Sequence, residues 1–223
     1  MKVLEKENMT EIEAVPFDKF EWYVKNGTAI PRSLCTGFFD ILFAMIGIIF
    51  SFVPMLIIAF AIKLDSRGPV FFIQERLGQF KKPIRLIKFR TMVVNAEENG
   101  PVWAKENDSR VTSIGYIIRK VRLDELPQLF NVLKGDLTFV GPRPIRKYFA
   151  DLLKQYSSSY DRRFLIKPGI TGWAQIYAPY GSTVEEQLMK LPYDLRYLKG
   201  LSIKDYFKII LLTVKAVLLG NGI

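Results

Sequence analysis

Histidine is absent from all 223 residues, and Cys35 is the only cysteine. Without histidine there is no Ser-His-Asp or Cys-His catalysis and no histidine-ligated metal. One cysteine permits neither an internal disulfide nor a thiolate zinc cluster; beside an apolar run, it reads as packing filler in a reducing compartment. The chain also lacks a Walker A loop, a G-x-G-x-x-G fingerprint and a G-x-S-x-G elbow. It has no internal repeat and no low-complexity tract. Chemistry therefore falls to Asp, Glu, Lys, Arg, Tyr or a hard cation.

Charge is plentiful but uneven. The net charge is +10, yet the first thirty residues hold six acids against four bases, so the rest is more basic still. A basic body implies an anionic partner: a nucleic acid, a phospholipid surface or a phosphorylated substrate. The length allows one ordinary domain plus an addition. Three segments follow: a lead-in over 1–31 with Phe17, Phe20, Trp22 and Tyr23, an apolar segment over 32–66, and a domain over 67–223.

Between Asp40 and Lys63 no charge interrupts Ile41 to Ile62. At ~1.5 Å per residue such a run could reach across a ~30 Å hydrocarbon layer. It begins too far from Met1, and behind too acidic a region, for a cleaved signal peptide. Pro54 divides the run into arms of thirteen and eight residues, neither long enough to span alone. Lys25 and Arg32 before it and Lys63 and Arg67 after it give little orientational bias. A re-entrant hairpin broken at Pro54 fits this symmetry, and a kinked single span is the alternative.

After the turn Leu64–Pro69, residues Pro69–Gln74 and Ile84–Phe89 read as a hairpin joined through Gly78, Lys81 and Lys82. In its second strand Lys88 and Arg90 share a face, either a phosphate-binding pair or the wet side of a hairpin. Asn95–Arg110 reads as a loop entering a helix near Val111. Leu123, Leu126, Leu129, Phe130 and Leu133 recur at helical spacing, Gly135 supplies a stop, and Pro127 is tolerable in a first turn. Asp124 and Glu125 are thus expected at a helix opening, just after Arg119, Lys120 and Arg122. That combination suits a metal ion and a diphosphate; it also suits a capping Asp followed by a solvated Glu.

Farther on, the prolines of Gly141-Pro142-Arg143-Pro144 fix φ around Arg143 and make it either a stiff phosphate clamp or a stiff surface turn. A polar helix through Tyr160 comes next. The loop Lys167–Trp173 offers an aromatic plate for a nucleobase or sugar, or is simply packed. Ile203–Leu219 reads as an amphipathic helix on a membrane surface or as a core helix.

Five stretches in order, IKLDSRGPVFFIQERLG, KFRTM, NDSRVTSIG, RLDELPQLFNVLKGDLTFVGPRP and KPGITGWAQI, resemble the bacterial sugar transferases, the monotopic polyprenyl-phosphate phosphoglycosyl transferases of the small single-domain type. They cover most of residues 60 to 176 and are specific as a set. The resemblance implies transfer of a sugar 1-phosphate from a UDP-sugar to polyprenyl (undecaprenyl) phosphate. UMP leaves, and the reaction starts lipid-linked glycan or exopolysaccharide assembly. It implies Asp124 as nucleophile of a covalent phospho-sugar enzyme, Glu125 with Asp124 as holders of Mg²⁺, and Lys88, Arg119 and Arg143 as phosphate-binding cations; Arg90, placed on the Lys88 face by strand alternation, joins them as a candidate substrate-binding residue.

The expected fold is α+β, mostly helical: a compact cytosolic domain with a small β-hairpin, a re-entrant membrane helix and amphipathic surface helices. The expected place is the cytosolic face of the bacterial inner membrane, with membrane lipids and no nucleic acid as partners. Rival readings are a membrane-tethered basic nucleic-acid-binding module and a UDP-sugar hydrolase. The chain departs from the family's pattern in three places. Arg122 stands where serine is common, and Val53 rather than serine precedes Pro54. Ile176-Tyr177-Ala178-Pro179 replaces Val-Asn-Gly-Arg.

Overall fold

The uncharged run forms one helix, α1 (Leu34–Asp65), 32 residues long with Pro54 inside it, or about 48 Å at helical rise. The coordinates are a computed structural model that describes residues 34–98, 100–103, 108–178 and 181–219. The lead-in over 1–31, Arg32, Asn107 and Pro179 lie outside the described residues. Among the described residues α1 is the one helix long and apolar enough to cross a membrane. It continues as helix through Pro54, which lies on its exposed side, so the amide that proline lacks is missing from the outer face.

One face of α1 is buried along its whole length. Thr36, Asp40, Ala44, Ser51, Met55, Ile58 and Ile62 are covered, at the three- and four-residue intervals that put side chains on one stripe. Ala44 packs with Leu86 and Val132, whereas Met55, Ile58 and Ile62 pack with Phe89 and Ile118. At Gly47 an added Cβ would meet Leu129 Cδ1 at 3.0 Å. Nearer the start, the Asp40 carboxylate accepts hydrogen bonds from the Phe139 amide and the Tyr206 hydroxyl, both at 2.9 Å. Two donors let a carboxylate rest at this buried position. The opposite face carries Ile49, Phe50, Val53, Ile57 and Phe60, all exposed.

Strands β1 (Phe71–Leu77) and β2 (Pro83–Phe89) pair antiparallel, from Phe71↔Phe89 to Leu77↔Pro83. The hairpin is the expected one, but β1 runs to Leu77 instead of ending at Gln74, because Glu75, Arg76 and Leu77 find partners in Arg85, Ile84 and Pro83. Helix α2 (Ser113–Lys120) starts behind Thr112, whose hydroxyl accepts the Gly115 amide. Helix α3 (Gln128–Lys134) stops at Gly135, φ 84°, a left-handed position that glycine fills without strain. On α3, Asn131 accepts from the Ile87 amide and donates to the Arg85 carbonyl, at 3.0 and 2.7 Å. One side chain thus fastens the helix to the edge of β2.

Strand β3 (Thr138–Val140) pairs in parallel with β4 (Gly169–Thr171), a second small sheet absent from the sequence reading. Helices α4 (Lys147–Tyr156), α5 (Trp173–Tyr177), α6 (Val184–Leu188), α7 (Leu191–Leu195) and α8 (Ile203–Leu218) complete a mostly helical fold. Helix α8 buries Tyr206 and Ile209 against Val140 and Trp173. Its other side exposes Leu211 and Val214 together with Lys204, Lys208 and Lys215.

Candidate active site

Asp124 and Glu125 lie in a 3-10 turn, Leu123–Glu125, rather than in the first turn of α3, which begins only at Gln128. Pro127 separates the two, so the expected single helix is two pieces. The amides of Glu125 and Leu126 are spent on the turn's own carbonyls, those of Arg122 and Leu123. Arg122 enters the turn at φ 59°, a left-handed conformation unusual for a residue with a Cβ. It reverses the chain between α2 and the turn and pairs with Glu125 at 3.5 Å.

Asp124 is buried, 6% exposed. Burial pushes its carboxyl up to about 6; the Glu125 charge adds to the rise, while Lys88, Arg119 and Arg143 oppose it. Burial alone would raise Glu125 as well, but the Arg143 charge and hydrogen bonds, helped by Arg122 and Lys88, hold it down near 2. The adjacent carboxylates are thus driven apart: Glu125 is a fixed anion and Asp124 is unusually basic. Lys88 sits 5.3 Å over the Phe72 ring, and burial followed by the Arg76 charge lowers its ammonium to about 8.

Arg143 forks Glu125 with both terminal nitrogens, one of them at 3.1 Å. Its backbone is held from several sides. The Gly141 amide donates to the Thr171 carbonyl, the Gly169 amide to the Pro142 carbonyl and the Leu77 amide to the Ile145 carbonyl. Arg163 donates to the Arg143 carbonyl at 2.9 Å, and Arg76 to the Pro144 carbonyl at 3.3 Å. The two loops touch so closely that a Cβ on Gly169 would fall 2.2 Å from the Gly141 nitrogen. The guanidinium is exposed while its backbone is pinned, as a clamp for a soluble anion requires.

Lys88, Arg119 and Arg143 each act on the Asp124 charge, and Arg143 also pairs directly with Glu125. Arg90 does not join them, which corrects its placement as a substrate-binding cation. β2 ends at Phe89, and the buried Arg90 guanidinium donates to the carbonyls of Ser66 and Arg67 and to the Ser66 hydroxyl at 2.7–2.9 Å. It caps the end of α1. Gly68, φ 124°, is held beside it, where a Cβ would lie 2.0 Å from Arg90 Nη1. Trp173 is no aromatic plate: it is 3% exposed, between Tyr177, stacked at 5.7 Å, and Arg196 at 4.4 Å.

Arg76 was missed by sequence. In register, Phe72 faces Lys88 and Arg76 faces Ile84, so Phe72, Gln74 and Arg76 share the Lys88 face. The alternation in FFIQERL carries that signal once the strand is taken to Leu77. Among the described residues no group of three or more Asp, Glu, Cys or His could hold a metal. Two adjacent carboxylates still fit Mg²⁺, which usually takes one or two carboxylates plus phosphate oxygens and keeps some of its waters.

The profile described as bacterial sugar transferase matches residues 32–220. An Aeromonas hydrophila UDP-N-acetylgalactosamine-undecaprenyl-phosphate N-acetylgalactosaminephosphotransferase is 42% identical over 183 residues, 82% of this chain and 43% of its own. A Klebsiella pneumoniae UDP-glucose:undecaprenyl-phosphate glucose-1-phosphate transferase is 44% identical over 162 residues, 72% of this chain and 35% of its own. The chain therefore spans less than half the length of these two relatives. An uncharacterized sugar transferase of Bacillus subtilis (strain 168), EpsL, is 41% identical over 185 residues, 83% of this chain and 88% of its own. With a family match running from residue 32 to residue 220, this chain belongs to the bacterial sugar transferase family.

Proposed function

We propose that the chain transfers a sugar 1-phosphate from a UDP-sugar to a polyprenyl phosphate such as undecaprenyl phosphate, with Asp124 carrying the sugar phosphate between them. The supporting observation is a buried, unusually basic carboxylate facing Lys88, Arg119 and Arg143. A carboxylate is a weak nucleophile that serves when the phosphoryl charge is neutralised; three cations neutralise it, and raised basicity strengthens the attacking oxygen.

An Asp124 oxygen forms a bond to the sugar-bearing phosphorus, the bond from that phosphorus to the bridging oxygen breaks, and UMP departs with its electron pair. A lipid phosphate oxygen then attacks the same phosphorus, the bond to Asp124 breaks, and the carboxylate returns. No proton is gained or lost overall. Asp124 and Glu125 would hold Mg²⁺, which when bound neutralises phosphate charge. Glu125 is free for that role only when Arg143 leaves it, and a donor diphosphate is the anion that would draw Arg143 away.

The membrane reading is also a proposal. Helix α1 packs on the one domain from Thr36 to Ile62, and a domain on one side of a bilayer cannot follow a helix to the other side. A re-entrant, monotopic placement at the cytosolic leaflet of the bacterial inner membrane accommodates this, with the outer α1 face and α8 toward lipid. There the enzyme would begin lipid-linked glycan or exopolysaccharide assembly. In right-side-out and inverted vesicles, an impermeant maleimide should reach Cys35 and a Leu64→Cys variant (in a Cys35→Ser background) from the same side. Labelling from opposite sides would establish a span.

Turnover should require both donor and lipid. Without lipid, UMP release stops after about one equivalent per enzyme; continued release would favour a hydrolase. The kcat/KM for donor should rise with pH as Asp124 ionises near 6 and fall as Lys88 loses its proton near 8. A profile flat from pH 5 to 9 would contradict these assignments.

A further inference from the structure

Arg143 reaches beyond the dyad. Its carbonyl accepts from Arg163 Nη2 at 2.9 Å, Arg163 Nε donates to Asp194 at 2.9 Å, and the Asp194 amide donates to the Lys190 carbonyl at 3.1 Å. Lys190 is thereby held in the same frame as Arg143, on the segment that opens α7. The half-buried Lys190 ammonium lies over the backbone of Gly181, 2.9 Å from where a Cβ there would stand. Among the described residues it has no hydrogen bond or ion pair to its Nζ.

Its carboxylate neighbours are engaged elsewhere. Asp194 pairs with Arg163 at 2.7 Å. Glu186 accepts from the Ser182 amide at 2.7 Å, the Ser182 hydroxyl at 3.3 Å and the Thr183 amide at 3.1 Å. Burial, followed by the Arg143 charge, accordingly keeps Lys190 below the ordinary lysine range. Arg143 already has Glu125 as its counter-charge, so among the described residues Lys190 is the half-buried cation of the two that lacks one, and an anion beside it would supply it. Beside Arg143 is a buried acceptor without a donor among the described residues. Gln175 Nε2 donates to the Ile170 carbonyl that Arg143 also approaches, at 3.3 and 3.5 Å, while Gln175 Oε1 is buried and unpartnered.

Resting on the function proposed above, we infer that Lys190, with Arg143, binds the phosphate of the departing nucleoside monophosphate and so forms a subsite distinct from the cations around Asp124. A diphosphate has two phosphorus centres one bridging oxygen apart. When the transferred one meets Asp124, Arg143 is the cation shared with the second, and Lys190 lies next along the frame. As the bridging bond breaks, negative charge collects on the leaving phosphate, where Lys190 stabilises it. Lys190 is therefore a substrate contact of the first half-reaction and not of the second.

The test is calorimetric binding of UMP to the detergent-purified full chain, with steady-state kinetics for both substrates. Lys190→Met should weaken UMP binding and lower kcat/KM for the donor roughly 10- to 100-fold, the range for losing a charged hydrogen bond. It should leave kcat/KM for polyprenyl phosphate unchanged, and Lys190→Arg should recover most of the loss. Gly181→Val, which keeps the charge but fills the space under the ammonium, should shift UMP affinity in the same direction and test the idea if Lys190→Met does not fold. Unchanged UMP affinity in either variant, or an equal fall for donor and lipid, overturns the inference while leaving the function standing. Failure of the unaltered chain to bind UMP or to release it from a UDP-sugar overturns both.

Discussion

Asp124→Asn should leave the protein folded, more heat-stable than the unaltered chain at pH 8, and without transferase activity. The activity loss should be at least about a thousandfold, because an amide cannot form the acyl-phosphate bond on which both half-reactions depend. The gain in stability follows from the same carboxylate. Its folded pKa, about 6, exceeds the ordinary 3.8, so the folded state holds the proton more tightly than the unfolded chain. Stability is full below about pH 4, declines as pH rises through 6, and stays lower above that. Asparagine removes this pH-dependent cost. UMP release and melting curves at pH 5 and pH 8 test both halves: residual turnover near the parent's level would exclude Asp124 as nucleophile. A lower melting temperature than the parent's at pH 8 would contradict the burial argument.

The second large effect falls at Asp194, on α7 and outside the dyad. Asp194 and Arg163 form a buried pair, with side chains 5% and 7% exposed, and the Arg163 guanidinium lies 5.3 Å over the Tyr160 ring. Asp194→Ala leaves Arg163 buried without its counter-charge, which costs about 3–5 kcal/mol and should lower the melting temperature by roughly 10 °C. Activity should fall further than stability alone explains, because Arg163 also holds the carbonyl of Arg143. Replacing both partners, Arg163→Met with Asp194→Leu, should restore most of the stability but not the rate, since that carbonyl then lacks its donor. A single variant melting with the parent would show that the pair carries no structural weight.

Local order in the sequence carried much of this fold. Alternation and turn residues located the hairpin, and Gly135 marked the end of α3, because each depends on the conformational limits of a few neighbouring residues. The Pro-x-Pro around Arg143 likewise pointed to a stiff loop. Longer-range features were not legible. Arg90 alternates with Lys88 in sequence, but the strand ends between them and the carbonyls at the end of α1 take its guanidinium. The sequence left Trp173 open between an aromatic plate and a packed residue, because nothing local shows that Tyr177 and Arg196 cover it. Hydropathy marked α1 as membrane-seeking yet said nothing of the stripe that joins it to the domain; Asp40, which brackets the run, is the residue that ties it down. Lys190 carries no motif at all, and its interest comes from the hydrogen-bonded frame through Arg163 and Asp194.

The central claim is that Asp124 holds a sugar phosphate in transit. Intact-protein mass spectrometry of the chain incubated with a UDP-sugar and Mg²⁺, without lipid acceptor, tests it most directly. The expected result is an added mass of one sugar phosphate, mapped to Asp124, missing in Asp124→Asn, and discharged when polyprenyl phosphate is supplied. An unmodified protein under conditions that release UMP, or an adduct on a different residue, would contradict it.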